Sequence, residues 1–171
     1  MYATESGNVN TISSDYAIVD HSDTFIMTGK IAASGNINTL IKSDGQIDGL
    51  SKFCYGYLFN DCSSLIQAPE LPATTLAEHC YDCMFAGCTS LTQAPELPAT
   101  TLANYCYYEM FYNCSKLNTI NVNFSVWNSE YATVKWVEKV ASSGTFICPA
   151  DLPETRGISY IPTNWIVKNI L

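Results

Sequence analysis

The chain has 171 residues, enough for one domain or for a short stack of repeats with a cap at each end. Apolar residues make up 47% of it, which supplies a core, and its net charge is −8. The few Lys and Arg residues are scattered, so we expect no nucleic-acid-binding surface and no attraction to an anionic membrane. No apolar run approaches the ~18 residues of a membrane span, and the first ten residues lack the pattern of an export signal.

The N-terminal region, residues 1–34, is predicted to be a leader followed by a β cap. Residues 1–23 are rich in Ser, Thr and Asn and fit either a flexible leader or short edge strands. Residues 24–31 (TFIMTGKI) combine β-branched and aromatic side chains, which predicts a strand. Residues 35–41 (GNINTLI) alternate apolar and polar side chains, and we expect them to form the first strand of a repeat array.

One segment of the chain occurs twice in succession. Residues 62–87 and 88–113 match at 18 of 26 positions, and partial copies lie at 53–62 and 114–120. A repeat of this length is typical of a stack of similar coils that bury their apolar faces against each other. We therefore assign residues 35–122 to the repeat array.

Each repeat is predicted to contain a short strand followed by a helix. The first half carries an LxxAxxL pattern over residues 65–71, interrupted by a proline that cannot donate a ladder hydrogen bond. The second half, residues 74–87, places Leu76, Cys80 and Met84 at helical spacing. We therefore expect an α/β repeat fold, a short solenoid of 26-residue strand–helix coils.

The C-terminal region, residues 123–171, is predicted to close the array with one helix and two strands. Residues 129–142 have the apolar period of an amphipathic helix, with Ser129 as its N-cap. Residues 144–148 and 164–171 read as strands. All three tryptophans lie in this region, where they fit the core of a cap better than a ligand-stacking site.

Six of the eight cysteines form two ladders with the 26-residue period: Cys54, Cys80, Cys106 and Cys62, Cys88, Cys114. A cysteine at the same point of each coil is best explained as a small buried apolar residue, since free cysteine is among the most buried residue types. A disulfide framework and a redox pair at Cys80 and Cys83 are the alternatives. With only two histidines in the chain, we expect no zinc site.

Two repeat segments resemble a known family. MFAGCTSL (residues 84–91), with the APELP that follows it, and MFYNCSKL (residues 110–117) resemble bacterial leucine-rich repeats of the BspA-like type. The tail WVEKVASSGTFICP, followed by IPTNWIV, resembles the closing segment of such proteins in gut Bacteroidales. The resemblance implies a short leucine-rich-repeat solenoid on a secreted or surface protein that functions in adhesion.

The sequence gives no convergent set of catalytic residues. The two histidines lie at non-repeat positions, and the glycines form no phosphate-binding motif. Glu70 and Glu96 would lie about 5 Å apart if their strands stacked in register, a distance that suits a retaining glycosidase or a bound cation. Duplication of the repeat explains the same pair without function. We therefore expect no enzyme, no cofactor and no metal.

A polar, acidic strip is predicted on the concave face, between the core positions of the strands. Its candidate ligand-binding residues are Gln67, Glu70, Gln93, Glu96, Asn118 and Asn121. Solenoids commonly bind through this surface, so we expect recognition of a protein or a glycan, with a solvated strip as the alternative. Tyrosines of the helical half form a second candidate surface.

The combined expectation is a non-enzymatic binding or adhesion module at a cell surface or in the secreted fraction. The alternative is a structural component of a larger assembly, such as a phage fibre or a decoration protein of a virion. The start at Met1 without an export signal motivates that alternative.

Overall fold

A computed structural model describes residues 29–47, 49–129 and 131–170 of the protein. Its strands are short: β1 (Ile31–Ala32), β2 (Leu65–Gln67), β3 (Thr119–Asn121), β4 (Thr145–Pro149) and β5 (Ile166–Ile170). β1 pairs with β2, and β3, β4 and β5 form a second sheet in that order, with every pair parallel. Within the described ranges no helix is long and apolar enough to cross a membrane.

The predicted α/β leucine-rich-repeat solenoid of strand–helix coils is wrong, because no α-helix forms in the part of the chain that the structure describes. The second half of each repeat is a run of tight turns instead. Its buried side chains come in pairs that recur every four residues, such as Cys80 with Tyr81 and Met84 with Phe85. Over so few residues, a period of four cannot be told from the 3.6 of a helix.

Alternate backbone amides of these turns bond in two different directions. The amides of Tyr55 and Phe59 donate to the next repeat, at the carbonyls of Cys80 (3.0 Å) and Met84 (2.9 Å). The amide of Cys62 donates back within its own turn, to the carbonyl of Phe59 at 3.1 Å. The turns therefore satisfy their backbone donors as fully as a helix would, while also joining one repeat to the next.

A left-handed residue at every fourth position bends the chain in these turns. One such position is occupied in successive repeats by Tyr57, Cys83 and Glu109, with φ of 60°, 50° and 47°. A residue with a Cβ pays about 1 kcal/mol or more in this region, so the bonds between repeats must offset the cost. The same φ pattern excludes a regular helix, which requires φ near −63° throughout.

The tail contains another run of turns where a cap helix was predicted, so the prediction of a helix over residues 129–142 is wrong. Lys135 has φ of 53° and lies 26 residues after Glu109. The amides of Glu109 and Phe111 donate to the carbonyls of Val134 (3.0 Å) and Trp136 (2.9 Å), as in the preceding repeats. The repeat array thus extends into the region that was assigned to the cap.

The two strands predicted in the tail are confirmed as β4 and β5. The loop before β5 covers the last run of turns. There the amide of Val137 donates to the carbonyl of Ile158 at 3.2 Å, and the indole of Trp136 donates to the carbonyl of Tyr160 at 2.9 Å. This loop closes the end of the stack.

The first repeat also departs from expectation. Residues 35–41 were predicted as a strand, but Ile37–Leu40 form a 3-10 turn. The side chain of Asn36 accepts from the amide of Asn38 at 2.8 Å and starts that turn. The prediction of a strand over residues 24–31 lies outside the described residues except at its end, where Ile31 begins β1.

Stacked aromatic rings with the period of the repeat form the centre of the core. Phe59, Phe85 and Phe111 are fully buried, with ring centroids 5.5 and 5.8 Å apart. A second stack of rings with the same period consists of Tyr55, Tyr81 and Tyr107. Each ring covers the face of the next, so removal of one exposes two neighbours.

All eight cysteines are free and buried, and the burial of the six in the two ladders confirms their interpretation as apolar core residues. The thiols of Cys88 and Cys114 donate to the carbonyls of Phe59 (3.1 Å) and Phe85 (3.0 Å) in the preceding repeat. Burial raises the pKa of Cys80 and of Cys83 well above the ordinary value of a thiol. Thiols of this kind are poor nucleophiles, so the alternative of a redox pair at Cys80 and Cys83 has no support in this geometry.

A candidate binding groove between two repeats

Backbone hydrogen bonds are missing between the strand segments of the two most similar repeats. Residues 64–72, the first strand segment, and residues 90–98, the second strand segment, occupy the same position in successive repeats. No backbone hydrogen bond joins these two segments, all of whose residues the structure describes. The hydrogen-bonded ladder that a continuous sheet would need is therefore absent between these two segments.

Each strand segment is bonded on its other side. On the first segment, the carbonyl of Gln67 accepts from Ala33 at 2.9 Å, and Glu70 exchanges two bonds with residues 35–37 at 2.9 and 3.1 Å. On the second segment, Ala94 donates to Thr119 at 2.9 Å. The gap is therefore local and lies between these two segments.

The turn halves of the same two repeats remain closely joined. The amides of His79, Tyr81, Cys83, Phe85 and Gly87 all donate across this boundary, at 2.8 to 3.1 Å. The repeats are thus hydrogen-bonded along their turns but not along their strand segments. An open-sided groove lies along the two strand segments.

This inter-repeat groove, lined by residues 66–72, 92–96 and 98, has a volume of about 730 Å³. That volume lies within the range of ordinary ligand sites. Its polar side chains are those of Gln67, Glu70, Gln93, Glu96 and Thr92. None of the described residues that line it is Lys, Arg or His, so the groove carries negative charge only.

Both walls of the groove expose backbone groups. Among the described residues, the N–H and C=O groups of Ala68, Gln93 and Glu96 take part in no hydrogen bond. Four prolines, Pro69, Pro72, Pro95 and Pro98, also line the walls and have no N–H to offer. The walls therefore present more acceptors than donors.

Four of the six predicted ligand-binding residues come together in this groove: Gln67, Glu70, Gln93 and Glu96. The other two lie elsewhere, at and just before β3. Asn118 is exposed, and its side-chain oxygen accepts from the hydroxyl of Thr119 at 3.1 Å. Asn121 is half-buried, and its side-chain oxygen is buried without a hydrogen bond. The predicted strip is thus divided. Its residues on the two strand segments line the groove, and its residues near β3 do not.

The unpaired backbone groups of the groove were not predicted, although a proline within each strand was recognised as an interruption of the ladder. The prolines stand at equivalent positions of the two repeats, Pro69 with Pro95 and Pro72 with Pro98. A strand with proline cannot complete a hydrogen-bonded ladder. That duplicated spacing was the available signal for a break in the sheet.

A second polar cluster lies in the turn half and has a structural role. His79 Nδ1 lies 2.7 Å from Asp82 Oδ2, and the imidazole is stacked between Phe53 and Tyr105 at 4.3 and 4.5 Å. Within the described ranges, no three His, Cys, Asp or Glu side chains form a group that could hold a metal ion. The contact between His79 and Asp82 holds the imidazole in place within the stack of rings formed by Phe53, His79 and Tyr105.

No family model, curated protein or solved structure matches this chain.

Proposed function

We propose that the protein is a non-enzymatic binding module whose ligand site is the inter-repeat groove. The observation that carries the proposal is the break in the stack between the two strand segments, which leaves two polar walls facing one cavity of about 730 Å³. Gln67 and Gln93 offer amide donors and acceptors, and Glu70 and Glu96 offer charged acceptors. Such walls suit a protein segment or a glycan.

The proposed location is a bacterial cell surface or the secreted fraction, with adhesion as the role. This part of the proposal rests on the likeness of residues 84–91 and 110–117 to BspA-like repeats. The side-chain chemistry of the groove is compatible with an extracellular ligand of either class, because it relies on hydrogen bonds and not on a bound cofactor.

The test is a glycan and matrix-protein array probed with the wild-type protein and with the variant E70Q/E96Q. Loss of both charges from the walls is expected to weaken binding of the captured ligand about tenfold or more, since hydrogen bonds to charged groups contribute about 1.5–3 kcal/mol each. The control variant D44N/D151N removes two exposed carboxylates outside the groove and should bind as the wild type does. Equal binding by E70Q/E96Q would place the ligand elsewhere.

A structural role in a larger assembly is a second candidate, favoured by the exposed edge at β5. This strand ends its sheet and leaves Ile166 66% and Ile170 41% exposed. An apolar edge of this kind pairs readily with another chain. Light scattering should then give a mass that rises with concentration for the wild type but not for I166K. A constant monomer mass would remove this candidate.

A further inference from the structure

We infer that the inter-repeat groove and the strands beyond it bind an amphipathic helix of a partner protein, basic at one end and with an apolar and an acidic residue at the other. The inference rests on the proposed function and narrows the ligand to one class. The helix lies across the strands, on their outward side chains, so the repeats stay stacked as they are. Three observations carry it: the order of those side chains, their spacing and the excess of acceptors in the groove.

One outward side chain from each repeat belongs to a row that crosses the stack. This outward row consists of Glu70, Glu96, Asn121, Ile147 and Lys168. Asn121 pairs with Ile147, and Ile147 pairs with Lys168. The bridge between Leu97 and Val122 places Glu96 beside Asn121, and Glu70 precedes Glu96 by the 26-residue offset of the repeat. The row therefore runs from the groove to the last strand.

The two ends of the outward row carry opposite charge. Glu70 and Glu96 are exposed at one end, and Lys168 is exposed at the other. None of the three forms an ion pair with another residue of the described ranges. Lys168 is flanked on the same face of β5 by Ile166 and Ile170, which are 66% and 41% exposed. A complementary ligand is therefore basic over the groove, and both apolar and acidic over β5.

The spacing of the outward row matches the pitch of a helix. The rings of Phe85 and Phe111, which stack between the two repeats, lie 5.8 Å apart. Helix residues three or four apart have Cβ atoms about 5–6 Å apart, so one turn of helix spans one repeat. The four steps from Glu70 to Lys168 amount to about 20 Å at the spacing of stacked strands, and fourteen residues of helix rise about 21 Å. Same-side residues of an extended peptide recur every ~7 Å and would lose register with the row.

The acceptors of the groove favour basic side chains over sugar hydroxyls. The C=O groups of Ala68, Gln93 and Glu96 take part in no hydrogen bond with the residues that the structure describes. Lys and Arg side chains only donate, whereas each hydroxyl of a sugar also brings an acceptor that needs a donor. The half-buried Pro95 and Pro98 supply apolar surface for the aliphatic stems of such residues.

The helix needs no change in the stack beneath it. The inward side chains of the two segments, among them Leu65, Leu91 and Leu97, are fully buried and stay in the core. Five backbone bonds join the turn halves of the same two repeats at 2.8 to 3.1 Å and hold the outward row in place. A preformed surface of this kind saves the ordering entropy that a mobile loop would lose on binding.

The probe is the synthetic peptide Ac-Ala-Lys-Ala-Ala-Gln-Lys-Ala-Gln-Gln-Ala-Ala-Gln-Leu-Ala-Gln-Glu-Ala-NH2, titrated calorimetrically into the full chain. As a helix, it presents its lysines, leucine and glutamate on one face, in the order that the outward row requires. An analogue with D-alanine at two positions on the opposite face keeps the charges but not the helix. It should bind at least about tenfold more weakly. Exchange of the glutamate with the second lysine should weaken binding at least about fivefold.

Charge-reversal variants test the two ends of the row separately. E70K/E96K should bind the parent peptide at least about tenfold more weakly, and an analogue with glutamate in place of both lysines should restore binding. K168E should bind the parent about threefold more weakly, and an analogue with lysine in place of the glutamate should restore binding. The control variant D44N/D151N should bind the parent as the wild type does, because both carboxylates lie outside the row.

Three results would overturn the inference. Equal affinity of the parent and D-alanine peptides would show that charge alone drives binding, and unchanged binding by K168E would show that the ligand does not reach β5. The third result is no peptide binding at millimolar concentration. If a glycan is then captured and its binding is lost in E70Q/E96Q, the proposed function stands with a different ligand. Failure of both ligand classes would overturn the inference and the proposed function together.

Discussion

Replacement of Gly144 with alanine is expected to lower the free energy of unfolding by about 3 kcal/mol or more, the upper range for overpacking a closed site. A Cβ at this position would overlap the backbone carbonyl oxygen of Asn118 and would lie 2.8 Å from Trp165 Cε2. That carbonyl already accepts from the amide of Thr145 at 2.8 Å, so it cannot move without loss of the β3–β4 pairing. Denaturant unfolding followed by tryptophan fluorescence measures the change.

The matched control for this substitution is G49A. A Cβ at Gly49 would meet no atom within 4 Å, and its backbone is not in the left-handed region. We expect G49A to change the free energy of unfolding by less than about 0.5 kcal/mol. If G144A were as stable as G49A, the close approach of the chain before β4 to residue 118 would be incorrect.

Replacement of Trp136 with alanine is the second change with a large expected effect, a loss of about 3–5 kcal/mol. The indole is fully buried and has ring centroids of Tyr107, Phe111 and Phe146 at 6.1 to 6.2 Å. It also donates to the carbonyl of Tyr160 at 2.9 Å. Thermal unfolding should shift downward by roughly 10 °C for a chain of this length.

Trp127 provides the comparison for this variant. It is only half-buried, although its indole also donates to a carbonyl, that of Pro153 at 2.9 Å. W127A should therefore lose less than half as much stability as W136A. Equal losses would show that the last turn of the stack does not enclose Trp136 as described.

The repeat period was the part of the fold that the sequence determined well. The offset of 26 residues places Tyr55 over Tyr81 and Phe59 over Phe85, and it explains the buried, free cysteines. Side chains that recur at one period fill one column of the core whatever backbone carries them. The stacking register was thus predictable without knowledge of the local conformation.

The local conformation was not predictable from the same pattern. Cys80, Met84 and Cys88 are spaced four residues apart, which satisfies a helical stripe and a run of four-residue turns equally well. What decides between them is the left-handed backbone at positions such as Tyr57 and Cys83. Bulky side chains disfavour that conformation, so propensity pointed away from the observed turns.

The tail was misjudged because its sequence had lost the repeat. Trp136 stands where the preceding repeats have Met110 and Met84, and Ala132 stands where they have Cys106 and Cys80. The backbone bonds from Glu109 and Phe111 to the tail, and the left-handed backbone of Lys135, show that the stack continues there. A degenerate repeat keeps an apolar residue at each core position but changes which residue it is. Such a repeat is not detected when segments are compared by residue identity.

For the candidate site, side-chain alternation was enough to select Gln67, Glu70, Gln93 and Glu96 as outward-facing residues. It was not enough to show that their two strands separate. Separation depends on which backbone groups find partners across the repeats, and the bonds made by the turn halves are not visible in the sequence. The duplicated prolines were the one local sign of it.

Amide hydrogen exchange measured residue by residue on the unliganded protein tests the central claim, that the stack is closed along its turns and open along its strand segments. We expect the amides of Tyr81 and Phe85, bonded to the next repeat at 3.1 and 3.0 Å, to exchange only through large-scale opening. The amides of Ala68, Gln93 and Glu96 should exchange at rates near those of an unstructured chain. Strong protection of Ala68 and Gln93 would show a continuous sheet across the two repeats and would contradict the groove.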